Sequence, residues 1–177
     1  CDDTNLMVKA LNSNDRDFNV GAAGTTMRFL TAFLSKVVGE WTITGTERMK
    51  NRPIKVLVDA LNALGARIEY MEKEGYPPLR IFGSALQGGE ISLPGNVSSQ
   101  YISAILMIAP LTENGVTLHL EGAIISRPYI HITLQLMEQY GVRASWTENT
   151  IKVLPQEYKP IRFTVESDWS AASYWYE

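Results

Sequence analysis

The sequence predicts an α/β protein of the α+β type, built from repeated βαβαββ units with helices packed inside and sheets outside. Three observations lead there. The stretch Thr44–Met71 overlays Leu120–Thr147, with Arg52-Pro53 falling on Arg127-Pro128 and Gly65-Ala66-Arg67 on Gly141-Val142-Arg143. Upstream, "GTTMRFLTAFL" (Gly24–Leu34) falls on "SSQYISAILMI" (Ser98–Ile108), so the offset stays at about 75 residues. The helices at the head of each copy are apolar nearly all round, as a helix buried inside a lobe must be. That offset exceeds a solenoid repeat and marks duplication of a whole folding unit, expected at about 21–94 and 95–160, with a third beginning at 161–177.

Each element has a local reason. The opening "CDDTNLMVKALN" reads as a helix, with Asp2 or Asp3 as cap ahead of Leu6, Met7, Ala10 and Leu11. An apolar helix (Thr25–Val37; Ser99–Ala109) leads to a short strand (Trp41–Thr44; Val116–Leu120). A turn then reaches Arg-Pro, where proline suits a first helical position. Amphipathic helices follow, apolar at Val56, Leu57, Ala60, Leu61 and Leu64, and at Ile130, Leu134, Met137 and Tyr140. Gly65 and Gly141 end them as left-handed caps. Two strands complete each unit: Arg67–Tyr70 with Leu79–Phe82, and Arg143–Thr147 with Ile151–Leu154. Further strands at Glu90–Leu93 and Ile161–Val165 are expected to bridge units. "SDWSAASYWYE", starting a helix at Asp168, resembles the head of a third copy. That unfinished helix, with the missing initiator Met, makes the chain an expected piece of a longer protein.

Composition narrows the function. A hydrophobic fraction of 45%, a charged fraction of 20% and a net charge of -3 suit a globular protein and argue against a nucleic-acid surface. No apolar run approaches the roughly 20 residues of a membrane span, and no leader marks secretion, so a cytoplasmic location is expected. One cysteine, Cys1, and two histidines do not make a disulfide or a usual zinc site. Neither a P-loop nor a GxGxxG motif follows a strand. No metal and no cofactor are therefore expected. His119 and His131 lack metal-ligand spacing and read as structural, and "EYMEKEGYPPLR" reads as a solvated hairpin.

The informative polar residues sit where the two buried helices begin. Copy one opens "GAAGTTM" and copy two "GNVSSQ". A helix N-terminus offers free N–H groups and a partial positive charge, which suit an anion. Gly24 would let a ligand approach the backbone. Ser98, Ser99 and Gln100 add hydroxyl and amide donors. Plain capping is the alternative at either start. Arg52, and the pair Ser126 and Arg127, stand just before helices on turns facing the same edge. Arginine grips carboxylate or phosphate through two parallel bonds, although Arg52 could equally form a surface salt bridge. Tyr129 could donate to a ligand or merely pack.

"GAAGTTMRFL", "TGTERMKNRPI", "LVDALNALGA", "SSQYISAILMIAPL" and "SRPYIHITLQLM" together resemble the 5-enolpyruvylshikimate-3-phosphate synthase family along essentially the whole chain. The resemblance implies one globe of a two-globe fold, each globe with three βαβαββ units and the site in the cleft between them. The N-terminal segment and the second, C-terminal globe would then be missing here, and the latter is the implied partner. The implied reaction moves the enolpyruvyl group of phosphoenolpyruvate to the 5-hydroxyl of shikimate 3-phosphate. By the same resemblance Ser98, Ser99, Gln100, Ser126 and Tyr129, with Thr25 close by, hold shikimate 3-phosphate. Gly24 and Arg52 line the phosphoenolpyruvate site, where glyphosate also binds. No residue of this chain is implied as acid or base. Phe29 departs from the usual proline of "MRP", which could move the helix start at Gly24, and His131 departs from a common aspartate. The alternatives are the sister transferase acting on UDP-N-acetylglucosamine, which normally carries a cysteine loop, and a non-catalytic ligand-binding module.

Overall fold

Two helices, α2 (Gly24–Lys36) and α5 (Ser99–Ile108), lie side by side with most of their surface buried, as the all-round apolar pattern predicts. In α5, Ile102, Ala104, Ile105 and Leu106 have no solvent exposure. Each of the large side chains contributes about 1.5–3 kcal/mol by leaving water. Two of the hydroxyls that α2 buries are satisfied inside the helix: Thr31 donates to the Met27 carbonyl and Ser35 to that of Ala32, both at 2.7 Å. The structure, a computed structural model, describes residues 2–165 of the chain. Cys1 and 166–177, which hold the expected head of a third unit, lie outside them.

Two four-stranded sheets of identical topology cover this helix pair. The first comprises β1 (Asp17–Asn19), β2 (Gly39–Thr44), β3 (Arg67–Tyr70) and β4 (Leu79–Gly83), in the order β1-β2-β4-β3. The second comprises β5 (Gly89–Pro94), β6 (Val116–Glu121), β7 (Ala144–Thr147) and β8 (Thr150–Val153), in the order β5-β6-β8-β7. In each sheet the first pair is parallel and the other two antiparallel. Burial alternates along β5, β6 and β8, so one face meets the helices and the other faces water. The second helices of the repeats, α4 (Lys55–Ala63) and α6 (Arg127–Gln139), flank the central pair. Helix α6 buries only Ile130 and Met137 fully, and Ile132 and Leu136 remain exposed. The positive φ of Gly65 (100°) and Gly141 (87°) confirms both helix stops.

Several expectations need correction. The strand at Gly89–Pro94 joins the sheet of the second unit, pairing with β6 across its whole length while also touching α4 of the first. Strand β1, whose three residues are too few for a readable alternation, holds the equivalent place beside β2. Residues 161–165 form no strand. Pro53 does not start a helix: α4 begins at Lys55, and a short helix α3 (Glu47–Lys50), capped by Thr46, precedes the Arg-Pro turn. Its counterpart Pro128 does occupy the first turn of α6. The charged hairpin after β3 is a solvated face, where Glu72 and Glu74 pair with Lys50 and Lys55. The helix at Asp2–Leu11 (α1) packs against α2.

After β8 the chain runs back over the helices, and Tyr158 anchors it by donating to the Met107 carbonyl at 2.8 Å. Burial pushes the Tyr158 phenol from 10.0 up to about 12. The fold thus favours the neutral phenol. Its stabilising contribution should be complete below the unfolded value near 10.0 and lost as pH rises through about 12. An absorbance titration of phenolate should show a late transition that Tyr158→Phe diminishes; a Tyr158 ionising at the ordinary value would contradict the burial described.

Candidate functional site

The starts of α2 and α5 meet. Gln100 donates from Nε2 to Thr25 Oγ1 at 3.0 Å, joining the second residue of one buried helix to the second of the other. Both residues, with Ser99 and Tyr129, line a groove of about 800 Å³ that continues along apolar side chains of α2, α5 and α6. Thr25, Ser99, Gln100 and Tyr129 are therefore brought together at its polar end. Tyr129 is 63% exposed and lines the groove, so it is not part of the core. Ser98 caps α5 itself, its hydroxyl accepting from the Gln100 amide at 3.3 Å. Ser126 stands at the start of α6 without a side-chain cap bond. Neither lines the groove.

The start of α2 is built differently. Ala23 offers no side-chain cap, and α1 supplies one from a distance. An Asp3 carboxylate oxygen accepts from the amides of Thr25 (2.9 Å) and Thr26 (3.3 Å), and Thr26 Oγ1 donates to the Asp3 carbonyl at 2.8 Å. A helix start that takes a carboxylate onto two N–H groups has the preference for anions expected of it, here met from within the chain. The departure at Phe29 leaves this start at Gly24, and the ring of Phe29 turns into the groove.

Two arginines close over Gly24. A Cβ at that position would fall onto the guanidinium groups of Arg52 and Arg28. The room expected for a ligand is thus room for two cations, and the missing side chain lets both stand beside the backbone. Arg28 is the functional residue that sequence reasoning missed. It is 6% exposed, donates from Nη1 to the Gly24 carbonyl at 2.7 Å, and has no partner at Nε. Its signal was an arginine in an apolar helix, four residues after Gly24 and with no acidic residue one turn away. Among the described residues no ion pair reaches Arg28 or Arg52, so the surface salt bridge considered for Arg52 is not formed. Burial, and after it the Arg28 charge, lower the pKa of the Arg52 guanidinium. Arginine does not deprotonate in proteins, so the direction of the shift marks a charged group that is disfavoured first by burial and then by the neighbouring Arg28 charge, both of which a bound anion would offset.

Arg127 takes no part. It turns to the β7–β8 hairpin, donating to the Glu148 carbonyl (3.4 Å) and Asn149 Oδ1 (3.3 Å) and lying over Trp146. The histidines are structural, though not partnerless. His131 stacks on Trp146 at 4.5 Å, and His119 bridges Glu90 (2.6 Å) and Thr150 (3.0 Å) across the outer sheet. Among the described residues no cluster of His, Cys, Asp or Glu could hold a metal, and no helix is long and apolar enough to cross a membrane.

A family model described as EPSP synthase (3-phosphoshikimate 1-carboxyvinyltransferase) matches residues 4–177. A 3-phosphoshikimate 1-carboxyvinyltransferase of Bacteroides fragilis strain ATCC 25285 is 61% identical over 178 residues, covering 100% of this chain and 43% of that protein. One from Vibrio cholerae serotype O1 strain M66-2 is 49% identical over 158 residues, 88% of this chain and 37% of the relative. A solved EPSP synthase structure from Acinetobacter baumannii superposes with a TM-score of 0.79 at 25% identity, over 92% of this chain and 36% of that one. The chain thus spans under half the length of the curated relatives it matches.

Replacing Asp3 by alanine should weaken the borrowed cap by roughly 0.5–2 kcal/mol. Amide exchange should then lose protection first at Thr25 and Thr26. Unchanged exchange at those two amides would mean that α2 does not depend on the Asp3 carboxylate.

Proposed function

Because this chain belongs to the EPSP synthase (3-phosphoshikimate 1-carboxyvinyltransferase) family, we propose that it supplies one wall of a site transferring the enolpyruvyl group from phosphoenolpyruvate to the 5-hydroxyl of shikimate 3-phosphate. The observation that carries this reading is the pair of uncompensated guanidinium groups over Gly24, adjoining the polar groove end where Thr25 and Gln100 meet. Both substrates are multiply anionic. Arg52 and Arg28 suit the carboxylate and phosphate of phosphoenolpyruvate, each offering donors that no hydrogen bond or ion pair among the described residues uses. Ser99, Gln100 and Tyr129 suit the hydroxyls and phosphate of the second substrate, with Thr25 at the boundary and Ser98 and Ser126 at the rim.

In the reaction, the 5-hydroxyl of shikimate 3-phosphate gives up its proton to a base as its oxygen bonds to carbon 2 of phosphoenolpyruvate, and carbon 3 takes a proton from an acid to become a methyl group. The tetrahedral intermediate then expels phosphate while that methyl group loses a proton, which restores the carbon–carbon double bond in the product. The two arginines would stabilise negative charge on the phosphoenolpyruvate unit from addition to phosphate departure, with little reorganisation because they already converge. This wall holds no candidate for the proton transfers, and the opposing C-terminal globe is the partner expected to complete the cleft. A cytoplasmic location accords with this role, and alone the chain should not turn over.

Steady-state kinetics on variants of the full-length protein test the assignment. Ser99→Ala removes a hydrogen bond to a charged ligand and should raise KM for shikimate 3-phosphate about tenfold or more, with a smaller effect on phosphoenolpyruvate. Gly24→Ala should act the other way round, since the added methyl displaces both arginines. Arg28→Lys and Arg52→Lys should also weaken phosphoenolpyruvate use, because an ammonium cannot reproduce the planar fork. Equal shifts for both substrates in the Ser99 and Gly24 variants would overturn the two-subsite assignment.

A further inference from the structure

The residue after Gln100 belongs to neither set of ligand groups, yet it touches the supports of both arginines. Tyr101 is 7% exposed, and its ring is part of the core. Its hydroxyl donates to the Pro53 carbonyl at 2.6 Å, a short O–H···O bond to the residue beside Arg52. Its ring face lies under the Arg28 guanidinium, 5.4 Å from carbon to centroid. These contacts bridge elements far apart in sequence: Pro53 follows α3, Arg28 is in α2, and Tyr101 is in the first turn of α5.

The physical need for such a bridge is plain. Arg28 and Arg52 repel one another, and no ion pair holds either of them among the described residues. Arg28 is tied by one bond to the Gly24 carbonyl. The turn carrying Arg52 has its own backbone bond, Arg52 N–H to the Met49 carbonyl at 2.9 Å, which sets its local shape without setting its distance from α2. The Tyr101 hydroxyl ties that turn to the central helix pair, and the ring restrains the opposing guanidinium from the same side chain.

We propose that Tyr101 is a positioning residue for phosphoenolpyruvate: its hydroxyl holds the Arg52 turn and its ring holds Arg28, so that the two guanidinium groups converge over Gly24. The proposal rests on the reading of that arginine pair as the phosphoenolpyruvate grip. Displacement of a binding group by about an ångström is enough to matter for a ligand held in a fixed geometry.

Tyr101→Phe in the full-length enzyme deletes the tether and keeps the ring. KM for phosphoenolpyruvate should rise about three- to tenfold, while KM for shikimate 3-phosphate should stay within about twofold. Tyr158→Phe is the matched control, since it deletes another phenol-to-carbonyl bond on the same helix, to Met107. It should move neither KM. Combining Tyr101→Phe with Arg52→Ala should add no further rise to that of Arg52→Ala, because the hydroxyl acts through Arg52. Equal shifts in both KM values, a full additive effect in the double variant, or a Tyr158→Phe with the same profile would each overturn the proposal. So would a silent Tyr101→Phe beside a damaging Arg52→Ala, which leaves the arginine reading standing. An Arg52→Ala with unchanged KM for phosphoenolpyruvate would remove that reading and the proposal together.

Discussion

Burial of α2 against α5 is the constraint on which the site depends. Two helices that are apolar on most sides can satisfy both sides only by packing together beneath sheets. That packing leaves their ends as the places where polar backbone reaches the surface. The two starts fall at one edge, joined by the Gln100–Thr25 bond. Four N-terminal N–H groups on each helix lack an intrahelical acceptor and must find one elsewhere. Here Ser98 answers for α5 and Asp3 for α2. An edge rich in oriented N–H groups and hydroxyls is thus a consequence of the core, and ligand recognition is a modest addition to it.

The arginine pair is a different kind of feature, because nothing in the folding of the core asks for it. A guanidinium 6% exposed, with a bare Nε and a second guanidinium beside it, opposes stability. Burying a charge without its partner costs several kcal/mol, and like charges in contact add to the cost. A protein carries such a cost where function requires a cationic site ready before the ligand arrives. The same features that make the pair unfavourable in isolation, low polarity around it and unused donors, make an anion between them favourable.

Legibility of the sequence followed the range of the forces involved. Helices α2 and α5, the glycine stops at Gly65 and Gly141 and the paired hairpins were readable because period, caps and turn residues act within a few positions. The duplication reinforced each reading with a second instance. What escaped were features set by contacts across the chain. Strand β1 is three residues long and exists because β2 lies beside it. Residues 161–165 have strand-like composition yet form no strand. Pro53 suits a first helical position by its fixed φ, but the short helix Glu47–Lys50 changes where the first copy's turn lies and α4 starts only at Lys55. At the site, Ser99 and Gln100 are legible as candidates through their place at a helix start, and Thr25 only through the family resemblance. Arg28 was passed over because it sits one turn inside a helix read for its apolar character alone. Asp3 is expected from the sequence to cap its own helix, but it lies inside α1 and its carboxylate caps α2, with partners more than twenty residues away.

Comparison of the two copies shows how one folding unit can support two recognition chemistries. Equivalent positions differ in how far they are free of structural work. In the second copy, Ser98 caps its own helix and Arg127 is committed to a hairpin carbonyl and the Trp146 ring. What remains for a ligand there is neutral: Ser99, Gln100 and the exposed Tyr129. In the first copy the cap comes from outside, through Asp3, and the turn is held from outside, through Tyr101. Among the described residues the Arg52 side chain makes no hydrogen bond or ion pair, and Arg28 makes one hydrogen bond, to the Gly24 carbonyl, beside its contact with the Tyr101 ring. The unit whose structural bonds are supplied by neighbours presents charge, and the unit that supplies its own presents hydroxyls and an amide. On the proposed reading, that division suits a cleft holding a small, highly charged ligand beside a larger polyhydroxylated one, and it arises without altering the topology of either sheet.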